Sequence, residues 1–254
     1  MSESTANGPV YGNWVSAKLV WAPGVLGLVC LLLALWVPWV AMLAVVFIAC
    51  AVYFAYARHA FSPQGKDLQA KIQALLLEQF ACDGIASVID IGCGSGAIAI
   101  EIAKRCPRLK VVAVDTWGPA WEYSKHLCER NAALEHVADR VVFQQASASS
   151  LPFADGLFDA AVSNLAFHEA ADSKDKRLLV KEALRVVRKG GSFVFQDLFL
   201  WKLPYGEIES LLDAVRGWGV ERVELINTSA SPFIPRLLKL PFMIGTIGIL
   251  RGIK

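Results

Sequence analysis

The sequence predicts an α/β fold, a mostly parallel sheet with helices on both faces, preceded by a hairpin of two transmembrane helices. Three observations carry the prediction. An apolar run enters a glycine-rich turn and leaves as a helix at Val88-Ile-Asp-Ile-Gly-Cys-Gly-Ser-Gly-Ala97. Strand-like and helix-like segments alternate after it, which argues for a parallel sheet. Finally, Leu19 to Ala57 contains no charged residue and no His, Asn, Gln, Ser or Thr. Over 254 residues the chain is 55% hydrophobic with a mean hydropathy of +0.45, more apolar than an ordinary soluble domain, and the excess lies at the front.

As one helix the Leu19–Ala57 run would be about 58 Å long at ~1.5 Å per residue, nearly twice a hydrocarbon core of about 30 Å. Pro38, flanked by Trp36 and Trp39, marks the turn of a hairpin, with spans expected near 19–36 and 39–57 and indole rings at the interface. Lys18 and Arg58-His59 bracket the run, so residues 1–18 and the domain after residue 58 are both expected on the cytoplasmic side of an inner or plasma membrane, the protein being multi-pass. A buried core hairpin would need a second surface to cover it. A cleaved signal peptide would need a small-x-small site, which does not close the first span.

Residues 58–84 connect the hairpin to a domain over 85–254. Within the connector, Leu68, Ile72, Leu75, Leu76 and Phe80 fall at helical spacing over 67–80, after a short Ser62-Pro-Gln-Gly65 turn. Gly92, Gly94 and Gly96 then permit a sharp turn and close ligand approach, and the N–H groups of the new helix favour an anionic or electron-rich partner. Val111-Val-Ala-Val-Asp115 is a second strand ending in an acid 19 residues after Gly96, a spacing suited to a carboxylate that accepts ribose hydroxyls. A helix through Trp121–Asn131, strands Val141–Phe143 and Ala160–Val162, a helix around Lys174–Val187, strand Ser192–Gln196, a helix Glu207–Trp218 and strands Val220–Ile226 and Met243–Arg251 complete the reading.

Asp90-Ile-Gly-Cys-Gly-Ser-Gly96, Asp115, Ala146-Ser-Ala-Ser-Ser-Leu-Pro-Phe153, Phe158-Asp-Ala-Ala-Val-Ser-Asn164 and Val187-Arg-Lys-Gly-Gly-Ser-Phe193 follow one another in the motif order of class I S-adenosylmethionine-dependent methyltransferases, over about residues 85 to 200. In this the chain resembles the ubiquinone/menaquinone-biosynthesis type. A dinucleotide-binding domain usually carries a longer Gly-x-Gly-x-x-Gly turn. The resemblance implies a Rossmann-like seven-stranded sheet with one antiparallel strand, closed by the last two strands, and S-adenosylmethionine as cofactor. It places Asp90 on the methionine amino group, the backbone of Gly92, Gly94 and Gly96 around the ligand, and Asp115, with Thr116 and Trp117, at the ribose and adenine. Ser147 and Ala148 fall beside the adenine, and Asn164 closes the set. Ser147 stands where many relatives carry an Asp for the adenine amino group, so adenine recognition is expected to lean on Trp117 or on backbone near Ala148.

Methyl transfer from a sulfonium is an in-line displacement and needs a base only if the acceptor must lose a proton; it needs no metal. Candidates follow the fourth strand, where His168 is a possible general base oriented by Glu169 or by Asp197, with the alternative that it merely hydrogen-bonds within the domain. Tyr123 and Trp121 are candidates for the pocket wall or for a packed helix face. Six scattered cysteines suggest neither a zinc site nor a disulfide framework and read as a reduced face. A net charge of +2 without a basic aromatic stripe argues against nucleic acid. Ser231–Met243, apolar with three prolines and only Arg236 and Lys239 charged, is either a loop dipping into headgroups or a segment packed on the hairpin or on helix 67–80. The function read from all this is methyl transfer to a small, membrane-resident or apolar acceptor such as a quinone, isoprenoid or lipid-like molecule. The alternatives are a tethered methyltransferase of a small soluble thiol or phenol, and a non-catalytic S-adenosylmethionine-binding module with a membrane partner.

Overall fold

The computed structural model of the protein describes residues 8–118 and 123–254, so the expectation for Trp121 lies outside the described residues. The chain forms two compact units. One is Gly12–Ile72; the other is Gln73–Lys254 with the segment ending at Tyr11.

In the first unit α1 (Lys18–Leu33) and α2 (Val40–Phe61) run as a pair. Small residues set their closeness. A Cβ on Gly27 would fall 2.7 Å from Ile48 Cγ1, and one on Gly24 would sit 3.8 Å from the Ala51 Cβ. Ala44 is fully buried in the same seam. The outward surface is apolar, with Leu28, Leu32, Leu35, Trp36, Trp39, Met42, Val45 and Val52 all exposed. Trp14 packs on Phe61 with ring centroids 5.7 Å apart, and Asn13 Nδ2 donates to the Arg58 carbonyl at 2.9 Å. Among the described residues one helix, α2, is long and apolar enough to cross a membrane. The first expected span is shorter than predicted: α1 ends at Leu33, 16 residues long, because residues 34–39 wind into the turn before Val40. At ~1.5 Å per residue α1 covers about 24 Å and α2 about 33 Å.

The second unit is built on seven strands, β1 (Ser87–Ile91), β2 (Lys110–Asp115), β3 (Val141–Gln145), β4 (Phe158–Asn164), β5 (Val187–Asp197), β6 (Arg222–Asn227) and β7 (Gly248–Ile253), in the order β3-β2-β1-β4-β5-β7-β6. The first five are mutually parallel; β7 runs antiparallel to both β5 and β6, the one reversed strand expected. Alternation along the strands builds two cores. Val88, Val111, Ala160, Val162 and Val194 pack with α4 (Ala97–Arg105), α5 (Lys125–Leu134) and Leu76 and Leu77 of α3 (Leu68–Glu78). Ile89, Ile91, Ala161, Phe193 and Phe195 face α6 (Arg177–Arg185), α7 (Lys202–Tyr205) and α8 (Ile208–Gly217) on the other side.

Several boundaries moved for local reasons. The helix expected from Trp121 begins at Lys125, because the Ser124 hydroxyl accepts the Leu127 amide at 3.1 Å and caps it. The helix expected over 174–187 starts at Arg177, whose amide donates to Asp175 at 3.1 Å, and Val187 already belongs to β5. The last strand opens at Gly248 rather than Met243, since the Met243 and Gly245 amides both turn back to the Leu240 carbonyl. The cysteines also differ from expectation. Cys82, after α3, and Cys106, capping α4, form a disulfide with Cα atoms 5.7 Å apart, so the cysteines give no argument for a reducing compartment.

A Cβ on Gly252 would lie 1.9 Å from the Arg222 carbonyl oxygen, across the β6–β7 pairing. Gly252→Ala is therefore expected to cost about 1–3 kcal/mol through overpacking, read as a lowered denaturation midpoint. An unchanged midpoint would contradict this register.

Candidate active site

The carboxyl ends of β1, β2, β4 and β5 meet where β1 lies between β2 and β4, the switch point at which open sheets hold their ligands. The Gly92 and Cys93 amides both donate to the Val114 carbonyl, at 2.8 and 3.0 Å, which ties the turn after β1 to the end of β2. Gly92 has φ of 73°, and a Cβ there would fall 2.1 Å from the Ala166 Cβ; only glycine fits. Gly96, at φ of 83°, caps α4 under the Phe143 ring.

Asp115 is half-buried and faces this turn. Its carboxylate accepts the Gly94 amide at 2.8 Å and the Trp117 amide at 2.9 Å, and the Trp117 indole N–H reaches back to the Gly94 carbonyl at 3.0 Å. Trp117 sits at φ of 44° and Leu165 at φ of 55°, left-handed backbone on non-glycine residues just beyond β2 and β4. Such strain is concentrated at functional sites. Thr116 is exposed beside Asp115, and its carbonyl accepts Gln145 Nε2 at 2.9 Å. The Tyr123 ring lies against Gly94, 3.6 Å from where a Cβ would stand.

Asp90, on β1, is 1% exposed and its Oδ2 has no hydrogen-bond partner. Burial pushes its carboxyl up to about 7, against the pull of the Ala99 amide and with a further push from Asp115. A buried acid in that state is matched to a cation that arrives with a ligand. The α-ammonium of S-adenosylmethionine is such a cation, so the residues present fit that cofactor.

Ser147, expected beside the adenine, has an unforeseen neighbour. The Ser147 and Ser149 hydroxyls each donate to Asp172 Oδ2 at 2.5 Å, and those two bonds, Ser147 first, hold the Asp172 carboxyl below its usual range. Ala148 packs on the second core, and the Ala146 amide donates to the Asp115 carbonyl at 3.0 Å, so this loop adjoins the end of β2. Asp172 lies 25 residues from Ser147 on the loop before α6, and no sequence signal marks it. The segment before α1 was equally unmarked: Asn131 bonds both the amide and the carbonyl of Val10, and Ser95 Oγ donates to the Tyr11 carbonyl at 2.9 Å.

Beyond β4 and β5 the structure brings His168, Glu169 and Asp197, the three expected catalytic residues, together. His168 Nδ1 lies 2.8 Å from Asp197 Oδ1 and Nε2 lies 3.3 Å from Glu169 Oε1. Asp197 is fully buried and also accepts the Leu198 amide at 2.7 Å and the Phe167 amide at 2.9 Å. Burial would lower the His168 pKa, but the Asp197 charge and hydrogen bond, then Glu169, outweigh it and raise the imidazole to about 10. A free base near the ordinary value of 6.5 is thus not what this geometry provides: at neutral pH His168 is an imidazolium between two carboxylates. Asn164, at the end of β4, accepts Gln196 Nε2 at 2.7 Å, a bond between the adjacent strands β4 and β5.

Residues 89–195 match the family described as "Methyltransferase domain". That match supports S-adenosylmethionine-dependent methyl transfer, with S-adenosylmethionine as the cofactor. It is 26% identical over 151 residues to the ribosomal RNA small subunit methyltransferase C of Shigella flexneri serotype 5b (strain 8401), a match covering 58% of this chain and 40% of that protein. It is also 38% identical over 96 residues to the release factor glutamine methyltransferase of Chlorobaculum tepidum, covering 35% of this chain and 31% of that one. The chain therefore spans two fifths or less of the length of these relatives. Their names point to RNA and protein acceptors, so the comparisons give no support to the expectation that nucleic acid is excluded. Among solved structures, geranyl diphosphate methyltransferase in complex with SAM superposes with a TM-score of 0.53 at 16% identity, over 74% of this chain and 86% of that one, a likeness of fold.

Two measurements check the electrostatics. Asp90→Asn removes a buried acid that ionises with one oxygen unpartnered, so it is expected to stabilise the ligand-free protein above pH 7 by on the order of 1–3 kcal/mol while weakening S-adenosylmethionine binding about tenfold or more. Calorimetry showing a destabilised variant with full affinity would contradict the assignment. His168, raised in the folded state, contributes stability that is complete below about 6.5 and lost as pH rises through about 10. Unfolding midpoints between pH 7 and 10 should fall more steeply for the wild type than for His168→Gln; parallel curves would count against the ion pair.

Proposed function

We propose that the protein is a membrane-anchored methyltransferase that transfers the methyl group of S-adenosylmethionine to a small apolar or membrane-resident acceptor of the quinone, isoprenoid or lipid-like class, working on the cytoplasmic side of an inner or plasma membrane. The α1–α2 pair carries the reading. Its helices meet through Gly24, Gly27 and Ala44, and its outer surface is a belt of exposed Leu, Val, Trp and Met side chains that no water-facing protein leaves bare at this scale. Lys18 and Arg58, at the outer ends of the pair, favour the cytoplasmic side for the chain beyond them. A tether of this kind brings the domain to acceptors that dissolve in the bilayer rather than in the cytosol.

When bound, S-adenosylmethionine supplies an electrophilic methyl group on a sulfonium, which the acceptor atom displaces in line. Asp90 would hold the ammonium, and the backbone of Gly92, Gly94 and Gly96 would allow close approach. Asp115, with Thr116 and Trp117, would take the ribose, Ser147 and Ala148 would adjoin the adenine, and Asn164 would stand between cofactor and acceptor. His168, holding its proton at neutral pH, donates a hydrogen bond rather than removing a proton. Glu169, the exposed carboxylate of the three, is the group placed to accept one from an acceptor hydroxyl.

The test is transfer of label from methyl-labelled S-adenosylmethionine by the detergent-purified full chain incubated with host membrane extract. Label is expected in the organic phase and to drop about a hundredfold or more with Asp115→Ala. Label confined to the aqueous, RNA or protein fractions would overturn the acceptor class.

A further inference from the structure

The chain from Thr228 to Ile247 contains no acidic residue and two cations, Arg236 and Lys239. Its apolar side chains divide into two sets. Ile234, Leu238, Ile244 and Ile247 are buried in the domain, whereas Leu237, Leu240 and Phe242 point outward at 65%, 39% and 52% exposure. A loop meant only for water would present polar groups in those positions.

A second segment joins it. The Leu200 amide donates to the Thr246 carbonyl at 3.0 Å, and Thr246 Oγ1 donates to the Pro241 carbonyl at 2.7 Å, so the Leu198–Gly206 stretch lies alongside the 240–246 turn. That stretch carries no acid, one lysine and the most exposed large apolar side chain among the described residues of the domain, Leu203, at 84%. The position on the sheet is set by register: Asp197 pairs with Gly248, so both segments emerge at the carboxyl edge of the parallel strands, the edge that holds His168 and the glycine turn.

We infer that this rim, Leu203 with Leu237, Leu240 and Phe242 and the flanking Arg236 and Lys239, docks the methyltransferase domain onto a bilayer carrying anionic phospholipids, with the acceptor side of the site toward the lipid. Charge decides the occupant. Exposed apolar side chains interspersed with two cations, in a segment without an acid, match the boundary between acyl chains and anionic headgroups. Lys202 is answered by Glu207 at 2.8 Å, which leaves Arg236 and Lys239 as the rim's net charge. The contact is a second attachment, made by the domain itself and separate from the helical pair. Its consequence for catalysis rests on the proposed membrane-resident acceptor; the contact itself does not.

The test uses the full-length protein reconstituted in vesicles of phosphatidylcholine with or without phosphatidylglycerol, with p-benzoylphenylalanine replacing Phe242 or, as a control, Leu157, which is exposed just before β4 at the opposite edge of the sheet. Photocrosslinking to labelled lipid is expected to be at least about fivefold stronger from position 242. It should fall by about fivefold for each of Arg236→Gln and Lys239→Gln in the anionic vesicles, and little in pure phosphatidylcholine. Equal crosslinking from 242 and 157, or crosslinks from 242 that join two copies of the chain in place of lipid, would overturn the docking face. A Leu237→Ser/Leu240→Ser/Phe242→Ser variant separates the two proposals. Slower labelling of the organic phase in vesicles, with an unchanged rate on detergent-dispersed extract, supports docking. Organic-phase label absent even from the wild type in detergent defeats the acceptor class while leaving the crosslinking result to stand alone.

Discussion

Two amides converging on one carbonyl hold the candidate site together. Gly92 and Cys93 both donate to Val114, so the turn leaving β1 cannot move without the end of β2. The same turn is pressed against the loop beyond β4, because Gly92 stands where any side chain would collide with Ala166. The ends of β1 and β2 and the loop beyond β4 are thereby referred to a single backbone junction, one residue from Asp115 and two from His168. Fixing reacting groups in this way is most of what a methyltransferase must do, since an in-line displacement gains its rate from alignment.

Two buried aspartates near that junction are treated in opposite ways. Asp197 is surrounded by donors, from the amides of Phe167 and Leu198 to the imidazole of His168, and its carboxyl is held below the ordinary range despite its burial. Asp90 is equally hidden but lacks a partner at Oδ2, and its carboxyl is driven up. The first is a closed structural pair that fixes the 167–169 turn. The second leaves a buried carboxyl oxygen open to an incoming donor, and it lies on the strand that feeds the glycine turn.

Much of this was legible in the residues. The spacing of Asp90, the three glycines and Asp115 announced strand, turn, helix and second strand, because each step needs a residue type that little else can replace. The placement of His168 after β4 and Asp197 at the end of β5 offered Asp197, or else Glu169, as the neighbour of the imidazole, and both stand beside it, Asp197 at 2.8 Å and Glu169 at 3.3 Å. Their charge state was not legible, since it depends on the burial of Asp197 and on Glu169 closing over the second nitrogen. Contacts made by folding back, Asp172 onto Ser147 and Val10 onto Asn131, left no periodic trace. The same holds for the Cys82–Cys106 disulfide, whose partners lie 24 residues apart on segments of different type. The first apolar helix was read as longer than it is, because hydropathy does not reveal where a helix gives way to a turn.

The proposed cofactor site depends on Asp90 as the anchor for an incoming ammonium. With its carboxyl raised to about 7, a large share of the ligand-free protein carries a proton there at pH 6.5, while a free α-amine, with a pKa near ~7.7–8.0, is already charged. Titration calorimetry of S-adenosylmethionine binding at pH 6.5, in two buffers of different ionisation enthalpy, counts the protons exchanged. Release of a substantial fraction of one proton per ligand, abolished when Asp90 is replaced by Asn, is the predicted result; binding with no proton released would contradict it.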